Sequence, residues 1–230
     1  TTPSIGSQLF EYRFSGDGEL AGHNLGNLML LALDDMTIRP LEAINLIRHM
    51  LGVAAQILPM SEQPTDLLGL APCGTPIIGE TSIDAWPAVP NKLWLEPAVS
   101  ATPEAVEALL KADLILLGPG SFLTSLLPPL LVPELAQAIR DSQARFVFLA
   151  NLAPEPGPVG QLSLAEQLAW IGRLIGRRVD CVLAAQNVAE QSLPCHRADL
   201  AEANCHWRHD REKLLRALEQ LLMPQPVSTQ

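Results

Sequence analysis

Glycines, amides and hydroxyls concentrate at two places along the sequence. The first is Gly22-His23-Asn24-Leu25-Gly26-Asn27, directly before the apolar run Leu28 to Leu33. If that run is helical, Asn24 can cap it, and the helix start offers unpaired N–H groups and partial positive charge to an anion. Gly26 would let a ligand approach the backbone with no Cβ in the way. The same residues also read as a Gly22 turn, an Asn24 cap and a packed His23, and spacing alone does not separate the two. The second place is Gly118-Pro119-Gly120-Ser121, with Thr124 and Ser125 close behind. It follows the apolar run Leu114 to Leu117, so it is expected at the carboxyl end of a strand, where open α/β sheets bind ligands. Its amides and hydroxyls could hold a phosphate or a sugar, or could simply stiffen a turn and cap the next helix. No lysine follows the glycines as in a Walker loop, and the full Gly-x-Gly-x-x-Gly pattern is missing, which counts against ATP hydrolysis and NAD chemistry.

Asn151 follows the apolar run Phe146 to Ala150 and would emerge at the same edge if the strands are parallel, bringing one donor group and one acceptor. A turn-forming Asn is the alternative. Cys195, His196, Cys205, His206 and His209 resemble a metal set only superficially, since their spacing fits no standard zinc pattern. No metal ligand and no catalytic residue is assigned. Asp34 and Asp35 are adjacent, and adjacent carboxylates on a helix diverge.

The elements that must position these residues alternate between strand-like and helix-like runs, the pattern of a parallel sheet covered by helices on both faces. Pro40 opens a helix carrying Leu41, Ile44 and Ile47 at helical spacing, and Gly52 stops it. Val53 to Leu58 reads as a short buried strand. Residues 62–97 read as a β excursion, with strands at Pro76 to Ile78 and Lys92 to Leu95. Thr102 is expected to cap a helix from Pro103 to about Lys111, followed by the strand Leu114 to Leu117 and a helix over Pro133 to Arg140. Ser163 and Glu166 stand at capping-box spacing before a helix from Leu164 to about Ile175, and Val179 to Ala184 returns as a strand. Asp210 begins a last amphipathic helix through Leu222, with Leu214, Leu215, Leu218 and Leu221 facing inward.

At 230 residues the chain is long enough for one α/β domain over 1–230. Apolar residues make up 48% and charged residues 17%, a balance that excludes a disordered chain. The net charge of −10, with no basic run, makes nucleic acid and anionic membrane surfaces unsuitable partners. Leu114 to Val132 is charge-free, but Gly118, Pro119, Gly120, Pro128 and Pro129 would break a spanning helix. Thr1 to Leu9 has neither the basic start nor the apolar block of a signal peptide, so a cytoplasmic protein with reduced thiols is expected.

Several islands together resemble the YvcK/YbhK branch of the CofD-like family, whose members are called gluconeogenesis factors. They are Phe10-Glu11-Tyr12-Arg13-Phe14, Gly18-Glu19-Leu20, Gly22 to Leu28, Arg39-Pro40-Leu41-Glu42-Ala43-Ile44, Pro59-Met60-Ser61, Gly118-Pro119-Gly120-Ser121 and Arg208-His209-Asp210. They recur in family order at matching intervals. The resemblance implies a Rossmann-like three-layer α/β/α fold, a cytoplasmic protein binding a nucleotide-linked ligand such as a UDP-sugar, and a role in cell shape and envelope homeostasis on gluconeogenic carbon sources. No cofactor is needed for such a regulator. The related transferases move a phospholactyl group to a deazaflavin with a divalent metal, and that chemistry is the alternative. The family's first strand, Gly-rich phosphate loop and Asp-Asn-Gly-Gly segment do not occur in this sequence. They are expected to have been omitted, because losing a central strand would bare its neighbours' edges. On the leading reading, the ligand lies across the carboxyl edge of the sheet, with self-association through apolar helices as a further expectation.

Overall fold

A computed structural model describes residues 5–36, 38–186 and 195–222, the Asp34 side chain excepted. The chain forms two compact units, one up to Glu62 and the other from Gln63 onward. The first unit holds α1 (Ile5–Phe10), α2 (Leu25–Asp35) and α3 (Pro40–Met50). Pro40 occupies the first turn of α3 as expected, and the Glu62 carboxylate accepts from the Leu41 N–H at 3.1 Å and from Arg39 Nε at 2.7 Å. One carboxylate thus takes up a donor that the helix start leaves over and pairs with a cation beside it. The expected strand over Val53 to Leu58 does not form: this stretch is irregular, with Val53 40% and Ile57 55% exposed. An apolar run becomes a strand only where a ladder partner exists. Among the described residues of this unit, β pairing is confined to the single Arg13–Asn24 bridge.

The second unit begins with β1 (Asp66–Leu70), β2 (Pro76–Ile78), α4 (Glu80–Asp84) and β3 (Lys92–Glu96), and the strands pair antiparallel in the order β2-β1-β3. This is the expected β excursion, its core face made by Leu67, Ile77, Leu93 and Leu95. Next come α5 (Pro103–Lys111), β4 (Leu114–Leu117), a π-helical turn over Phe122–Leu126, α6 (Pro128–Leu131), α7 (Pro133–Asp141) and β5 (Arg145–Leu149). A 3-10 helix over Gly157–Gln161 leads into α8 (Leu164–Ile175), β6 (Cys181–Ala185), β7 (Cys195–Ala198), β8 (Ala201–Glu202), β9 (Cys205–His209) and α9 (Arg211–Leu222). Strands β4 to β7 form a wholly parallel sheet in chain order.

Strand alternation divides the core into two faces. Val147, Leu149, Cys181 and Leu183 pack with Leu200 and with Ala217 and Leu221 of α9. On the other face, Phe148 meets Phe122 edge to face at 6.3 Å, and Arg177, just past α8, lies over Phe146. The helix, sheet and helix layers are those of a three-layer α/β/α sandwich. Two helix details differ from expectation. Thr102 holds the position before α5, yet its buried hydroxyl makes no hydrogen bond, and its carbonyl accepts from Ala105 and Val106 instead. Leu215 is 57% exposed, because the inward stripe of α9 runs through Ala217 and Leu221.

His209 ends β9 with a buried, unbonded Nε2, and burial lowers its pKa from the usual 6.5. Below about pH 6.5 the unfolded chain therefore takes up a proton at this side chain more readily than the folded chain does. Its contribution is full above that pH and declines as the solution is acidified through the folded pKa. Urea midpoints measured between pH 7.5 and 5.5 should fall less steeply in His209→Gln than in the parent, and equal slopes would contradict this.

Candidate functional site

In the first unit the chain doubles back. Phe14 N–H donates to the His23 carbonyl and Gly22 N–H to the Phe14 carbonyl, while Leu25 N–H donates to the Tyr12 carbonyl. Gly22 turns the chain at φ +79°, and Asn24 Oδ1 accepts from Asn27 N–H at 3.0 Å, the expected cap on α2. Gly26 plays a different part from the one its spacing suggested. A Cβ there would stand 2.6 Å from the Phe10 carbonyl oxygen and 2.9 Å from the Phe10 ring. The close approach is made by α1 against α2 and not by a ligand. The side chains this motif leaves exposed are those of His23 and Asn27.

In the second unit, Gly118 follows β4 at φ +106°, and its Cα faces the Leu149 carbonyl at the end of β5, 2.6 Å from where a Cβ would stand. Parallel pairing of β4 with β5 places Gly118-Pro119-Gly120-Ser121 and Asn151 at one edge, as expected. The Asn151 amide joins them: its Nδ2 donates to the Gly120 carbonyl at 2.8 Å and to Glu155 Oε1 at 2.7 Å. The Glu155 carboxylate also accepts from Phe122 N–H, at 3.0 and 3.2 Å for its two oxygens. A carboxylate of the chain's own thus occupies the place at the turn where an outside anion would bind. On the far side lies Asp84. Thr124 Oγ1 is 3.0 and 3.1 Å from its two carboxylate oxygens, Ser121 Oγ is 3.4 Å away, and the two hydroxyls are 2.8 Å apart.

These bonds reassign Thr124. It is 4% exposed and its hydroxyl is spent on Asp84, so it braces the π-helical turn and does not face a ligand. Pro119 and Ser125 are exposed, and Gly120, Ser121 and Asn151 half-buried. Sequence reasoning missed Asp84 and Glu155, as well as Gly157, where a Cβ would run into the Asp84 carbonyl, and Gly160, where it would stand 2.7 Å from the Glu155 carbonyl. The available signal was the pair Gly157 and Gly160, close behind Asn151 and Glu155.

A cavity of about 330 Å3 opens beyond β5, lined by Asn151, Glu155, Val159, Leu162 and Gln167 among others. It lies outside the carboxyl end of a parallel strand, and its size is at the low end of ligand pockets, roughly 300–1,000 Å3. Asn151 Oδ1 makes no hydrogen bond among the described residues, so the cavity offers an amide oxygen and a carboxylate as acceptors. Acceptors of this kind suit a polyhydroxylated molecule better than a phosphate.

Across residues 1–226 the sequence matches the family described as 2-phospho-L-lactate transferase CofD. The chain belongs to the CofD family. It is 54% identical over 227 residues to the "Putative gluconeogenesis factor" of Vibrio cholerae, covering 97% of this chain and 77% of that protein. With the protein of the same name from Yersinia pestis it shares 49% identity, over 96% of this chain and 74% of the other. A crystal structure of a UPF0052-family protein from Bacillus halodurans superposes with a TM-score of 0.84 at 28% identity, covering 93% of this chain and 77% of that one. CofD membership and the three-layer sandwich agree with the sequence reading. Among the described residues, no group of three His, Cys, Asp or Glu side chains gathers as a metal site, and no helix is long and apolar enough to cross a membrane. The carboxylates closest to the turn, Asp84 and Glu155, are engaged by hydroxyls and amides of the chain itself.

Proposed function

We propose that this CofD-family chain is a cytoplasmic nucleotide-sugar-binding regulator, of the kind needed for cell shape and envelope homeostasis during growth on gluconeogenic carbon. Its ligand's sugar occupies the Asn151 cavity. The observation that carries the proposal is that Asn151, whose Oδ1 has no partner among the described residues, and the Glu155 carboxylate it bonds through Nδ2 both line one cavity of about 330 Å3 at the end of β5. Sugar hydroxyls donate to such groups, and a carboxylate accepting from them gives bonds roughly twice as strong as neutral ones. The relatives' shared name supports the metabolic setting. In the first unit, the exposed His23 and Asn27 side chains offer a separate contact for an anionic group.

Calorimetry with a panel of UDP-sugars tests this, with the free sugars and free UDP as controls. Saturable binding is expected, weakened about tenfold for UDP-sugars by Glu155→Gln and much less for UDP, since one charged hydrogen bond is worth about 1.5–3 kcal/mol. No saturable heat at millimolar ligand would refute the proposal.

The second reading, a transferase moving a phospholactyl group to a deazaflavin, is favoured by the name of the matching family. Among the described residues no group of three His, Cys, Asp or Glu side chains gathers to hold the divalent ion this chemistry uses. Product formation from a guanylated phospholactyl donor, a deazaflavin acceptor and a divalent cation would establish it.

A further inference from the structure

The antiparallel sheet of the second unit turns one face to the core and the other to solvent, since alternate residues of a strand point to opposite sides. Leu67, Ile77, Leu93 and Leu95 take the core face. The strand register sets out the outer face in rows. Leu68 stands opposite Ile78 on one side and opposite Trp94 on the other, which makes an apolar row across all three strands. Toward one end of the strands lies the row of Pro76, Leu70 and Lys92, and toward the other Asp66 stands opposite Glu96.

The outer face of an antiparallel sheet ordinarily carries polar residues. Here Ile78 is 64% exposed, and Leu68, Leu70 and Trp94 are only half-buried. The charges at the two ends are as unusual. Asp66 and Glu96 are like charges directly opposite each other on paired strands, an arrangement that costs stability. Among the described residues, neither carboxylate has an ion-pair partner, and neither does Lys92, whose ammonium lies 5.7 Å from the centroid of the Trp94 indole. Lys92 and Glu96 lie on one strand about 13 Å apart, at roughly 3.3 Å per residue, so they cannot neutralise each other. The face is thus basic at one end, acidic at the other and apolar between, a pattern complementary to its own reverse. A two-fold axis along the Ile78–Leu68–Trp94 row would set each copy's Lys92 over the other copy's Asp66 and Glu96, with the apolar rows meeting in the middle. Sheets pack face to face at about 10 Å, and two-fold contacts of a surface with itself are the commonest in homo-oligomers.

We infer that this sheet face is a self-association surface whose partner is a second copy of the same chain, packed sheet to sheet about a two-fold axis along the Ile78–Leu68–Trp94 row. Three short strands make a small interface, so the dimer is weak and reversible.

Sedimentation of the full chain over a range of concentrations tests this. The parent should pass reversibly from monomer to dimer. Ile78→Asp should weaken the dimer about tenfold or more, because it sets a carboxylate in the apolar row. Lys92→Glu should weaken it by a similar factor, because it turns attraction across the axis into repulsion. Glu96→Lys should weaken it less, since Asp66 remains. An equimolar mixture of the Lys92→Glu and Glu96→Lys variants should dimerise more tightly than either alone, since each supplies charge that the other lacks. Glu96→Lys also separates association from folding: it puts a cation opposite Asp66, so the urea midpoint of the dilute monomer should rise while the dimer weakens. A chain that stays monomeric at every concentration would overturn the inference and leave the face to a partner of another kind. A dimer that Ile78→Asp and Lys92→Glu leave unchanged, or a mixture no tighter than its parts, would overturn it by placing the contact elsewhere.

Discussion

Gly118→Ala is expected to destabilise the second unit more than any other single change at the candidate turn. The new Cβ would stand 2.6 Å from the Leu149 carbonyl oxygen, and φ +106° is a conformation alanine avoids. Backbone strain of roughly 1–3 kcal/mol adds to overpacking of roughly 1–3 kcal/mol, because the obstacle is the backbone of a buried strand and cannot swing aside. The urea midpoint should fall with little change in slope. Gly74→Ala supplies the control: it too has a positive φ, +85°, but nothing lies within 4 Å of its Cβ position. It should lose only the conformational share, about 1–2 kcal/mol. Equal losses in the two variants would mean that the turn does not press on β5.

Asn151→Asp tests the polar knot at the same edge. The exchange is nearly isosteric but replaces the donor that serves Gly120 and Glu155 with a second carboxylate oxygen, 2.7 Å from the first. At neutral pH two like charges would share one proton's worth of space, so the folded-state pKa of the new group rises. A raised pKa means the folded chain holds its proton longer than the unfolded chain. The variant should come closest to parent stability below about pH 4, where a protonated carboxyl donates again. The deficit should widen as pH climbs, to about 1–3 kcal/mol at pH 7. Chemical denaturation from pH 4 to 8 measures it, and a deficit independent of pH would show that the amide does not bridge these groups. Binding of UDP-sugars should weaken over the same pH range.

Much of the scaffold was legible because its signals are local. Ser163 and Glu166 form the reciprocal box their spacing announced, opening α8, which ends at Gly176 with φ +75°. Pro40, Pro103 and Pro133 open α3, α5 and α7, and Asp210 accepts from Lys213 N–H at the start of α9. Strand β1 went unread because Gly69 interrupts it and it has no β-branched residue, so pairing with β2 and β3 decides its state. The run Val53 to Leu58 failed for the converse reason, apolar content without a partner. At the site, the turn and Asn151 could be placed from strand ends. Their bracing could not: Asp84 lies 40 residues from Thr124, and Glu155 33 residues from Phe122. Gly26 shows the same limit, since only the tertiary contact reveals that the space above it belongs to Phe10.

The sheet order has a consequence for how the molecule comes into being. β4, β5 and β6 are neighbours in the order in which a ribosome would deliver them, each separated from the last by its own helical crossover. Each newly emerged strand finds its template already laid down, so assembly can proceed stepwise from the amino-terminal side without waiting for distant chain. The turn that follows β4 is completed only when β5 delivers the Leu149 carbonyl and Asn151. The carboxyl edge that carries this turn is therefore braced as soon as β5 has docked, before β6 and β7 are laid down.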